Sequence, residues 1–269
     1  MKTKILIIVL LISFKINAQE LFVVTEPASN MPSGSLGIRI GQSAFKEKFE
    51  DGYNYHAMPE LMWGVNKNFM IHATTFLSNR SNKLVDEGYS VYTKWRFYSA
   101  DDFHSHFRLA AYARVSNNNS DIHQEQIEIM GHNSGYETGI IATQLINKVA
   151  ISSSISFEKA LDNSSNNKYP TTQGNTATNY SLSFGKLMLP KVYTNFKQTN
   201  MNLMLEFLGQ TINSNGKSYI DIVPSIQFIF NSRSRLDIAY RRELMSSMFR
   251  TAPNGIYLNF EYTLFNVFK

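Results

Sequence analysis

The sequence predicts an all-β fold, a transmembrane antiparallel up-and-down β-barrel of twelve strands. Three observations predict it. Apolar and polar residues alternate with period two in segment after segment. The connections between these segments alternate between short turns and long polar loops. The chain closes on IYLNFEYTLFNVFK, in which Ile256, Leu258, Phe260, Tyr262, Leu264 and Phe268 share one face. Period two sends successive side chains to opposite faces of a strand. No run after the first eighteen residues is long and apolar enough for a membrane helix, and a closed barrel is the other way to cross with every backbone group paired.

The elements follow in order. Met1–Lys4 carries Lys2 and Lys4, an apolar run extends from Ile5 to Phe14, and Ala18 precedes Gln19. This is the pattern of a secretory signal peptide over 1–18, too short to span a bilayer as a helix. Residues 19–33 form an N-terminal extension on the periplasmic side. Pro27, Pro32 and Gly34 break Glu20–Ser35 too often for a strand; a seat at the periplasmic mouth and entry into the lumen are both open to it, and a simple tether is expected. The barrel occupies 34–268. Strands are expected at 34–45, 55–65, 68–79, 88–99, 103–116, 135–145, 148–159, 177–188, 199–210, 218–230, 234–245 and 255–268. In 135–145 neither face is consistently apolar. The even count and the alternation of turns and loops suit a single-chain bacterial barrel with both termini on the periplasmic side.

Composition narrows the chemistry. The chain has 26 Lys+Arg and 21 Asp+Glu. Lys2, Lys4 and Lys15 belong to the signal, which leaves 23 basic residues and a net charge of +2. Neither this balance nor any basic-aromatic motif argues for a nucleic-acid partner. The absence of cysteine excludes disulfides, thiolate metal sites and cysteine catalysis. No phosphate-binding loop, dinucleotide fingerprint or HExxH is present, and no cofactor is expected.

The terminal strand resembles the C-terminal assembly signal of Gram-negative outer-membrane barrels. Phe260, Tyr262, Leu264 and Phe268 match it, while Asn266 and the trailing Lys269 depart from it. ELFVVTEPASNMPSGS, Glu20–Ser35, resembles the N-terminal segment of poorly characterised porin-like outer-membrane proteins of Bacteroidota. These resemblances imply a location in the outer membrane, contact with its lipid, and insertion by the barrel-assembly machinery through the last strand.

If the apolar faces meet lipid, the opposite faces line a lumen. Arg39, Glu60, Lys94, Arg96, Arg108 and Arg114 come from the first five strands. Glu206, Asp221, Arg235, Asp237, Arg241 and Glu243 come from the later ones, as do Glu137, Glu158 and Glu261. Bases dominate the first half and acids the second. Across a water-filled interior this gives a transverse field that selects small polar solutes; in a filled interior the same residues form a salt-bridge network. The expected role is a passive channel for such solutes. The alternative is a sealed structural or adhesive barrel acting through its loops.

Two further clusters carry possible chemistry. If the turn after the strand expected at 55–65 centres on 65–67, Met62 faces Met70 and Glu60 faces His72. Across 100–102, Tyr98 would face His104 and Arg96 would face His106. Thioethers and imidazoles suit copper or similar ions, but Arg96 and Arg108 oppose a cation and no ligand spacing is diagnostic. The second cluster is GHNSG, where His132 and Ser134 could share a strand face, with the imidazole activating the hydroxyl. Outer-membrane phospholipases and lipid A deacylases have a similar His-x-Ser pair. Here Gly135 replaces the usual Asn, and no third residue orients the histidine.

Overall fold

The computed structural model describes residues 22–49, 51–79, 83–102, 105–192, 195 and 197–268. The expected signal segment, residues 19–21 and His104 lie outside them. Twelve antiparallel strands close into a barrel in which each strand pairs with its sequence neighbours and β1 pairs with β12. They are β1 Leu36–Lys46, β2 Tyr53–Asn66, β3 Phe69–Ser78, β4 Val85–Asp101, β5 Ser105–Asn118 and β6 Gly135–Ile146. β7 Val149–Ala160, β8 Thr176–Leu189, β9 Asn200–Ile212, β10 Ser218–Phe230, β11 Ser234–Ser246 and β12 Asn254–Leu264 complete it. The short connections and both ends of the described chain gather at one rim, the turn end. The longer connections, 47–52, 79–84, 119–134, 161–175, 213–217 and 247–253, gather at the other, the loop end.

The alternation becomes an inside and an outside. Ile38, Ile40, Leu61, Trp63, Val91, Trp95, Ile155 and Phe260 are exposed on the outer wall. Glu60, Lys94, Glu206, Asp221, Asp237 and Arg241 are buried on the inner wall. The inversion of the usual apolar interior is the mark of a barrel made for an apolar surround. Closing the sheet leaves no edge. Leu36 opposes Leu264 and Lys46 opposes Asn254, so β1 and β12 pair along their full length.

Two local readings are corrected and a third is explained. The last strand stops at Leu264, because Asn266 takes a left-handed turn with φ of 57°, a conformation that asparagine tolerates better than most residues. Phe268 then lies against Trp63 of β2, with ring centres 5.4 Å apart. In β4 a bulge between Arg96 and Tyr98 breaks the alternation, so Tyr98 points outward, where it meets Phe107. β6 was ambiguous because its inner face carries Ile141, which is buried against Ala28 and Ala110. That face meets protein, so an apolar residue is at home there.

Candidate functional site: the occupied lumen

Residues 22–35, expected as a tether, pack inside the barrel near the turn end. Phe22 is buried against Ala150 and Met204. The Glu206 carboxylate accepts the backbone N–H groups of Val23 at 3.0 Å, Val24 at 3.2 Å and Thr25 at 2.7 Å. It also accepts the Thr25 hydroxyl at 2.7 Å. Opposite, Lys94 is fully buried; it donates to the Pro27 carbonyl at 2.7 Å and pairs with Glu26 at 3.2 Å. The Ala28 N–H donates to Thr143, and Arg108 donates to Ser29. An extended segment without strand partners must find acceptors elsewhere, and charged wall side chains supply them. Gly64 lets the segment cross β2, since a Cβ there would stand 2.2 Å from the Pro32 carbonyl oxygen.

The connection 119–134 enters from the loop end. Ile127 and Ile129 are buried with Ala160, Ala177, Ile212, Tyr219 and Met248. Gln210 of β9 fastens Ile127 twice, accepting its N–H at 3.0 Å and donating to its carbonyl at 2.8 Å. Arg250, from the connection 247–253, is 2% exposed. It donates to Gln126 at 2.7 Å, to both Asp221 oxygens at 2.8 and 2.7 Å, and to Glu243 at 3.1 Å. Its guanidinium lies 3.9 Å from the Tyr219 ring centre, a cation–π arrangement. At the rim, Glu125 accepts from Lys217 at 2.5 Å and from the Phe249 N–H at 2.8 Å.

Between these inserts lies a chamber of about 260 Å³. A narrower cleft of about 50 Å³ adjoins it towards the loop end, sharing Met58, Gln126, Glu128, Met130, Arg241 and Tyr257 with it. Five carboxylates, Glu26, Glu60, Glu128, Glu137 and Glu158, line the chamber against three arginines, Arg39, Arg114 and Arg241. Each arginine is matched by acid. Register places Arg39 directly across from Glu60 on β2 and Glu261 on β12, with ion pairs at 3.0 and 3.1 Å. Arg114 opposes Glu137 and pairs with it at 3.4 Å; Arg241 meets Asp221 at 2.6 Å. Outside the chamber, Arg235 bridges Asp237 and Glu261, both at 3.0 Å. Glu158 opposes Glu137 across β6 and β7, and its bond from Gln210 is a neutral one at 3.1 Å. Among the described residues, Glu128 has only His132 within ion-pair reach, at 3.6 Å. Burial first, and the neighbouring His123 second, lower the His132 pKa to about 4, so the imidazole is neutral at pH 7 and gives Glu128 no counter-charge.

The lumen residues read from the alternation are therefore brought together, with Arg96 at the margin: it reaches back to the Lys67 carbonyl at the turn end. Lys94, Arg108 and Glu206 hold the N-terminal segment instead of facing an open pore. The transverse field expected from the two halves is largely replaced by ion pairs across neighbouring strands.

The thioether–imidazole sector is rearranged by register. Met62 opposes His72, Gly64 opposes Met70 and Glu60 opposes Thr74. Met62 and Met70 pack with Met31 and Tyr92 as a small core under the N-terminal segment. His72 shares a hydrogen bond with Glu60 at 3.0 Å. His106 opposes Asp101, where Arg96 was expected, and bonds to it at 2.9 Å. The proposed His132–Ser134 pair does not form. Both residues precede β6, His132 in a turn. The Ser134 hydroxyl donates to the Asn118 carbonyl and accepts its N–H, at 3.1 and 2.8 Å. It closes the neck of the loop and is buried.

Sequence reasoning missed Glu26, Glu128 and Arg250, which sit in segments taken for tether and loop. One signal was available. Gln126-Ile127-Glu128-Ile129 alternates within an otherwise polar connection, as a segment with one docked face would.

No protein-family model and no curated protein sequence matches this chain. Among solved structures, an outer-membrane channel from Pseudomonas putida F1 matches with a TM-score of 0.60 at 10% identity, covering 90% of this chain and 100% of that one. The fold is that of an outer-membrane β-barrel. Looser matches include the NanC porin, at TM-score 0.49, 7% identity and coverage of 85% and 98%. The KdgM porin matches at TM-score 0.44, 10% identity and coverage of 85% and 98%.

Proposed function

We propose that the chain sits in the outer membrane as a narrow passive channel for small polar solutes, with the N-terminal segment and the loop 119–134 as its two constrictions. The observation that carries this reading is the chamber of about 260 Å³ between them. A barrel built only as a scaffold gains nothing from an interior cavity walled by ionised groups, since burying charge without use is costly. Polar wall groups around a cavity of this size suit solutes that carry their own hydrogen-bonding groups. The excess of carboxylates over arginines along the chamber favours cations and neutral solutes over anions.

Planar-bilayer recording tests the reading. Small unitary conductance with a reversal potential on the cation side in a potassium chloride gradient is expected. Absence of conductance from correctly folded barrel removes it. That result would favour the sealed-barrel alternative, which the dense ion pairing of the lumen supports.

A further inference from the structure

Near the loop end, the apolar outer wall is interrupted by cations. We propose that Lys46 of β1 and Arg242 of β11 form a docking site on the lipid-facing surface for the phosphate monoester of a phosphorylated, acylated glycolipid. The proposal rests on the outer-membrane reading above, with the loop end facing out of the cell.

Register sets the two groups side by side. Lys46 lies directly across from Asn254 of β12 and Tyr53 of β2. On the other side of β12, Arg241 lies across from Gly255, and the Glu243 N–H donates to the Asn254 side chain at 2.7 Å. Arg242 is therefore level with Asn254. Lys46 and Arg242 stand two strands apart, about 10 Å at the usual strand spacing. Both point outward. Lys46 continues the face of Ile38 and Ile40, Arg242 continues that of Ile238 and Tyr240, and both are exposed. Side chains of this length can converge on one anion, and a guanidinium fork suits phosphate oxygens.

Neither cation is neutralised. Among the described residues, Lys46 and Arg242 make no hydrogen bond, ion pair or ring contact, whereas the chamber arginines Arg39, Arg114 and Arg241 are each matched by a carboxylate. Glu243, next to Arg242 in sequence, is taken by Arg250 at 3.1 Å and by Lys48 at 3.3 Å. Glu47 and Asp51 belong to the loop 47–52, beyond this row. The surround is apolar. Ile256 and Tyr240 lie below the pair on the same face, Tyr53 flanks Lys46, and Leu244 and Met245 follow Arg242, all of them exposed. In the adjoining loops Phe49 stacks on Phe249 at 5.2 Å. A cation on a lipid-facing wall is unfavourable away from the interface. With apolar residues on both sides of it, Arg242 does not simply mark the end of the apolar band, and an anion carried by the lipid itself supplies the missing counter-charge. A phosphate monoester, with a charge of about −1.5 to −2 at pH 7, matches two cations better than the singly charged diester of a common phospholipid. The acyl chains of the same lipid would lie along Ile256, Leu258 and Phe260.

Native mass spectrometry of the detergent-folded barrel with bisphosphorylated lipid A tests this. It reads no conductance, so its outcome is separate from that of the channel reading. The parent should retain the lipid. The double variant Lys46→Ala/Arg242→Ala should bind it about tenfold more weakly, while Lys186→Ala, exposed on the outer wall near the turn end, should bind as the parent does. Dephosphorylated lipid A on the parent should show the same loss as the double variant, and that arm needs no variant to fold. No retention of lipid A by the folded parent overturns the proposal. So does equal retention of the dephosphorylated lipid or of phosphatidylglycerol, a diester, and so does undiminished retention by the folded double variant.

Discussion

The two inserts that occupy the lumen are anchored by opposite kinds of chemistry. The N-terminal segment 22–35 is held mainly through its backbone by ionised wall groups, Glu206 on one side and Lys94 on the other. The loop 119–134 is held by a buried apolar cluster around Ile127 and Ile129, reinforced by Gln210 and Arg250. Glu206 and Lys94 are themselves buried, and Phe22 and Met31 add apolar contacts of their own, so releasing the N-terminal segment would leave two buried wall charges with fewer partners. Buried isoleucines cannot be released without exposing apolar surface. Both inserts are thus fixed constrictions, one held mainly by charge on its backbone and the other mainly by apolar burial.

The difference can be probed in order of expected effect. Arg250→Ala removes the link between the loop and Asp221 and leaves a buried acid with one partner fewer. It should cost about 3 kcal/mol, seen as a lower midpoint of thermal unfolding; an unchanged midpoint would show that the loop needs no such anchor. Ile129→Ala should cost about 2–4 kcal/mol by cavity formation and increase protease cleavage within 119–134 while leaving 22–35 protected. Glu206→Gln keeps one acceptor and loses the charge, a change of about 1–3 kcal/mol. Hydrogen exchange should accelerate at Val23, Val24 and Thr25 but not at Ile127. Equal acceleration at all four would erase the distinction between the inserts.

Acid should give the smallest effect. Burial works to raise the Glu125 pKa, but Lys217 and the Phe249 N–H together outweigh it and hold the carboxyl below its ordinary value. A depressed carboxylate contributes at pH above the ordinary value near 4.5 and loses its contribution as pH falls through the lower, folded value. Protease access at the 124–126 rim should therefore be flat from pH 7 to about pH 5 and rise below that. A rise near neutral pH would assign the clasp to another group.

Most of the barrel was legible because strand period, turn length and an apolar outer face are local signals. Leu36, Ile38 and Ile40 announce an outward face whatever lies within. The inner wall was legible only as polarity. Glu206 and Lys94 looked like pore-lining charges, because nothing local shows that a backbone from residues 22–28 will cover them. Registers set by bulges and turns were likewise hidden: β4 runs on to Asp101, into the turn expected at 100–102, so His106 pairs with Asp101 in place of Arg96, the bulge at Arg96–Tyr98 contributing one residue of that shift. The contact between His56 and His132 was invisible for the same reason, since the two rings meet only once the loop folds inward.

Single-channel conductance of the folded barrel lacking residues 22–33, set beside the intact chain, tests the central claim most directly. The account predicts a small conductance for the intact chain and a several-fold larger one for the truncated barrel, with the same cation preference because the loop and its Glu128 remain. Equal conductances from two well-folded proteins would contradict it, for then the N-terminal segment would not restrict the passage.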